Sequence, residues 1–128
     1  MKMKLNKKGF TLIELVIVVA VLAILAVVAV PVVGGIVDNS RTASDNSQLA
    51  LIQSAVERYN AEKGTYPGGD SETAIKSNVK NALTAYTNLT DIPAPQKSGY
   101  GFYYKSGKVV YAKDKPEGYL ALSVGAAQ

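Results

Sequence analysis

The amino-acid sequence predicts an α+β fold: a long N-terminal α-helix, membrane-type in its first half and amphipathic in its second, with a small head of one further helix and a three-stranded antiparallel sheet. Three observations predict it. No charged residue occurs from Leu15 to Val37. Between Leu49 and Tyr59 apolar residues recur at helical spacing. After Tyr100 the apolar period shortens to two, the period of a strand.

The first element opens at "KKGFTLIEL", Lys7 to Leu15. Leu15 to Val33 would span about 28 Å as a helix, close to a bilayer core of about 30 Å. The run has no polar face, and a helix apolar all round lies either inside a large protein or in a membrane. A chain of 128 residues is too short to bury it. Lys2, Lys4, Lys7 and Lys8 precede the run and basic residues are scarce just after it, which sets the N-terminus in the cytoplasm. An ordinary secretory signal has the same charge order, and "AVVAV" at residues 26–30 resembles its cleavage site. That reading leaves Glu14 unexplained. A carboxylate at the head of an apolar helix is costly, up to about 3 kcal/mol at the helix centre, and calls for a partner.

Pro31 lacks an amide hydrogen and crowds the preceding turn, and Gly34 and Gly35 follow it. A kink or soft point is expected at residues 31–35, with the helix resuming near Asp38 and ending near Lys63. Leu49, Ile52, Val56 and Tyr59 form its core-facing side, with Arg41–Asp45 and Arg58–Glu62 as ion pairs on the wet side. "KGTYPGGD" stops the helix. Asp70 or Ser71 then caps a second helix with Glu72 in its first turn, and Ile75, Val79, Ala82, Leu83 and Tyr86 share one face. This helix is expected to end near Thr87, before the loop "TDIPAPQKSG". Three strands follow, "YGFYYK", "KVVYAK" and "YLALSV", expected as an antiparallel meander with one face on the helices and the other in solvent. Leu120, Leu122 and Val124 are assigned to the inner face, and the strand tyrosines to core packing.

Composition narrows the chemistry. There is no cysteine and no histidine, so disulfides, thiolate sites and imidazole bases are excluded. The net charge of +4 sits in the first nine residues, and the rest holds ten basic and ten acidic side chains. No nucleophile–base pair, P-loop or metal-ligand cluster appears, so neither an enzyme nor a cofactor is expected. Asp91, Asp114 and Glu117 are read as solvated loop acids rather than calcium ligands, and Asn88-Leu89-Thr90 as a chance sequon. No basic run is interleaved with aromatics, so direct nucleic-acid binding is not indicated.

Lys7-Lys8-Gly9 followed by Phe10-Thr11-Leu12-Ile13-Glu14 and a long apolar helix resembles the class III leader of type IV pilins and pseudopilins. The resemblance is strong over residues 7–33 and is one of architecture beyond them. It implies that a prepilin peptidase cuts between Gly9 and Phe10 on the cytoplasmic side and N-methylates Phe10. Residues 1–9 would then be a leader peptide, 10–37 a transmembrane and filament-core helix, and 38–128 a soluble head that includes the second half of the long helix. It implies also that Glu14 pairs with the α-amino group of Phe10 on a neighbouring subunit, and that Pro31, Gly34 and Gly35 mark a kink. Many pilins close their C-terminal region with a disulfide, which this chain cannot form; that points to a Gram-positive source or a pseudopilin.

The function expected from these features is a structural subunit, a type IV pilin polymerised into a cell-surface fibre. Its partners would be copies of itself in a helical filament, the prepilin peptidase, the cytoplasmic membrane and the pilus or secretion assembly machinery. Two alternatives share the same helix: a pseudopilin of a type II secretion or DNA-uptake machine, and a single-pass anchored binding module in which Glu14 is dispensable.

Overall fold

A computed structural model of the chain describes residues 9–125. The chain divides after Val37 into two compact units. Helix α1 (Leu12–Lys63) begins in the first. There every apolar side chain is exposed, from Leu12 at 81% to Val37 at 42%, and among the described residues this unit has no core of its own. The helical residues run unbroken through Pro31, Gly34 and Gly35. The expectation that the helix resumes near Asp38 after an interruption is therefore corrected: α1 is one continuous element. Proline forfeits its own amide bond, while the flanking residues keep theirs. Apolar side chains offer those amides and carbonyls no competing partner.

The second unit, from Asp38, is built around one core. Ile52, Ala55 and Val56 enter it from α1, and Val79, Ala82 and Leu83 from α2 (Glu72–Tyr86). Phe102 and Tyr104 come from β1 (Gly101–Lys105), Val109 from β2 (Lys108–Ala112) and Leu122 from β3 (Leu120–Val124). Leu49, Tyr59, Ile75 and Tyr86 pack at its margin, so both helix faces read from periodicity are the buried ones. Ser71 is the N-cap of α2: its side chain accepts the Ala74 N–H at 3.2 Å.

The sheet order is β2-β1-β3, so the expected meander is corrected. β1 is central and pairs antiparallel with both neighbours, Tyr104 facing Val109 on one side and Leu120 on the other. The physical reason lies in β1 itself. Gly101, Phe102, Tyr103 and Tyr104 are all buried, and Tyr103 folds back over Gly101, where a Cβ would lie 2.8 Å from its ring. A strand covered on both faces takes the middle position, and the half-exposed β2 and β3 take the edges. The pairing with β3 shifts between Phe102 and Tyr103, which leaves Leu122 bulged. Val124, expected inside, is 52% exposed where β3 leaves the core.

Ser106 and Gly107 make the β1–β2 turn with both φ values positive, 46° and 92°. Glycine is needed at 107 twice over, because the Tyr66 ring lies 2.5 Å from where its Cβ would be. The Gln53 side-chain amide donates to the Gly107 carbonyl at 2.9 Å and accepts the Val109 N–H at 2.8 Å, covering part of the free edge of β2. Two helix ion pairs do not form as expected. Asp45 is fully buried among backbone amides and a phenol rather than on the wet side with Arg41. Glu62 accepts the Tyr86 hydroxyl and lies near Lys63 instead of pairing with Arg58. In both cases a tertiary partner displaces a weak pair on one helix face.

Candidate processing and assembly site

The residues in question lie at the start of α1. Gly9 and Phe10 precede the helix, and the Phe10 ring is 94% exposed. Residues 1–8 of the expected leader lie outside the described residues. A Cβ at Gly9 would meet nothing within 4 Å, and its φ is not in the left-handed range. Nothing in the described structure therefore requires glycine at this position.

Thr11 is the N-cap, and Glu14 is the third residue of the helix. The Glu14 carboxylate accepts the Thr11 N–H at 3.0 Å, and the Glu14 N–H is donated to the Thr11 hydroxyl at 3.3 Å. This is a capping box, Thr-x-x-Glu, and it satisfies two amides that the first turn leaves without partners. The reading from sequence missed it, although Thr11-Leu12-Ile13-Glu14 ahead of an apolar run is its signature. The carboxylate also lies where the positive end of the helix dipole favours it. Among the described residues Glu14 forms no ion pair.

The capping box uses no atom of Gly9 or Phe10. A cut between those two residues would leave it whole. The new α-amino group would then stand one residue before the cap, on the same helix end as a carboxylate already fixed in orientation. Pro31, Gly34 and Gly35 lie further along α1, and no neighbour would touch a Cβ at either glycine. The structure brings Gly9, Phe10, Thr11 and Glu14 together at one helix end and leaves Pro31, Gly34 and Gly35 apart from them.

Across residues 4–30 the sequence matches the family model of the prokaryotic N-terminal methylation motif. That match covers the Gly9–Phe10 junction, the capping box and most of the apolar run. The motif supports a type IV pilin-like or pseudopilin precursor. No curated protein and no solved structure matches it significantly. For this pilin-like precursor the leader implies processing by a prepilin peptidase in the context of a pilus or secretion system. The exposed apolar helix beside the leader fits membrane anchoring.

Away from this end, one of the loop acids has partners of its own. Asp91 accepts the Ile92 N–H at 2.8 Å and lies 3.4 Å from the Lys80 ammonium. The Ile92 hydrogen bond, and then the Lys80 charge, hold its carboxyl below the ordinary range.

Proposed function

We propose that this chain is a structural pilin subunit. It is cut between Gly9 and Phe10, N-methylated on Phe10 and polymerised through α1 into a cell-surface fibre. It is not an enzyme. The observation that carries the reading is the Gly9–Phe10 junction set directly before a capped helix whose apolar side chains are exposed on every face. Nothing in the described chain requires glycine at residue 9, and a residue without a Cβ there suits an external active site that must bring the backbone close. The apolar surface of residues 12–37 has two suitable surroundings in succession, lipid before assembly and the same helix of other copies after it. Glu14 then supplies the carboxylate for the incoming amine of Phe10. Truncating one member of such a buried pair typically costs about 3–5 kcal/mol.

The test is mass spectrometry of the protein recovered from sheared surface material. The expected N-terminus is methylated Phe10, with residues 10–37 retained. A mature start at residues 28–31 would mean ordinary signal peptidase and would overturn the reading. Gly9→Leu is expected to leave uncut precursor in the membrane.

A further inference from the structure

Asp45 is the one buried charged residue among the described residues. Its Oδ1 accepts the Gln96 N–H at 2.7 Å. Its Oδ2 accepts the Lys97 N–H at 3.0 Å and the Tyr111 hydroxyl at 2.8 Å. Withdrawing a carboxylate from water is costly, and these charge-assisted hydrogen bonds offset that cost. The reverse also holds: without Asp45, two backbone amides of the 93–100 loop would lose their acceptor.

The opposite side of this loop, its carbonyl side, is held by the C-terminal strand. Ser123 donates its hydroxyl to the Pro93 carbonyl at 2.6 Å, and the Gly125 N–H donates to the Tyr100 carbonyl at 2.7 Å. A Cβ on Gly125 would lie 2.7 Å from the Lys97 oxygen and 2.8 Å from the Pro95 oxygen, so only glycine lets the strand end come this close. The loop's amides are gripped by α1 and its carbonyls by the end of β3. An outer contact, Lys97 Nζ to Asp38 at 3.0 Å, fastens the same loop to the same helix.

We propose that Asp45 is the positioning residue of a non-covalent clasp that fastens the C-terminal end of β3, through the 93–100 loop, to the head part of α1. In a chain without cysteine this clasp does the work of a disulfide between those segments. It differs from a disulfide in being reversible without a reductant, so the C-terminal end of the head opens as a local unit ahead of the core.

Peptide-resolved hydrogen exchange on the full chain in detergent micelles tests this. In Asp45→Asn the carboxylate is replaced by an amide that presents one acceptor where two amides and a phenol need acceptors. Exchange in 93–100 and in 120–125 is expected to rise about ten- to a hundredfold, while α2 and the β1–β2 hairpin change little. Unchanged exchange in 93–100 would overturn the proposal. So would an equal rise in α2, the hairpin and the loop, because Asp45 would then support the whole core rather than one closure. If Asp45→Asn does not accumulate, Gly125→Ala decides from the other side. It removes no atom of Asp45 and is expected to raise exchange in the same two segments. No change there would sink the clasp.

Discussion

Glu14 carries two separable properties, an acceptor that seals the first turn of α1 and a negative charge. Glutamine keeps the first, because Thr-x-x-Gln is also a capping box, and removes the second. Alanine removes both. If the assembly role rests on charge, Glu14→Gln and Glu14→Ala are both expected to lower the yield of sheared surface fibres more than about tenfold, the scale of losing roughly half of a buried pair's energy at each addition. Thr11→Ala, which loses the cap and keeps the charge, is expected to cost about 1 kcal/mol of helix stability and to reduce fibres less. Fibre yield near wild type in Glu14→Gln, with loss in Glu14→Ala, would show that Glu14 serves the helix start and not subunit recruitment. Normal yield in both would favour an anchored binding module. Counting fibres alongside mature protein in the membrane fraction separates assembly from processing.

Each element owes its position to a different kind of contact. The N-terminal part of α1 buries nothing, and its order comes from backbone hydrogen bonds and the cap. The later part is fixed by Ile52, Ala55 and Val56, all fully buried. α2 has a local signal in Ser71 and a tertiary one in Val79, Ala82 and Leu83. The two differ in size. Ser71→Ala removes one capping bond, at a cost of about 1 kcal/mol. Leu83→Ala empties a fully buried site, at a cost of about 2–5 kcal/mol. Urea-unfolding midpoints are expected to fall in that order with unchanged slopes. A Ser71→Ala loss as large as that of Leu83→Ala would mean that α2 depends on its cap more than on the core.

For the head as a whole, the phenols make stability depend on pH at the alkaline end. Burial, followed by the hydrogen bond to Asp45, raises Tyr111 above the ordinary tyrosine value of 10.0. Tyr104 is raised too, by burial, with the Gly107 backbone partly offsetting it. The folded chain thus holds protons that the unfolded chain releases near pH 10. Stability from this source is fully present below about pH 10 and is lost as pH rises through the folded values. The melting temperature is expected to fall steadily above that point, with tyrosinate absorbance appearing late and Tyr111→Phe removing the latest phase. All tyrosines titrating together near 10, with a flat melting temperature, would contradict it. The same scale separates what the chain states locally from what only folding decides. Gly9, Phe10, Thr11 and Glu14 fall within a single turn and its approach, followed by an uncharged run. A peptidase and a bilayer read contiguous residues, so the leader motif, the apolar run and the buried face of each helix were legible in the sequence by itself. The tertiary structure alone decided that β1 lies between β2 and β3, that Glu62 meets Tyr86, and that Asp45 turns inward to the 93–100 loop. Alternation along a strand tells which side meets the core but not which strand lies alongside it. A carboxylate on a helix has the same local pattern whether it faces water or a loop fifty residues away. The choice falls to whichever amides are left without acceptors once the core closes, and that is known only after distant segments have met.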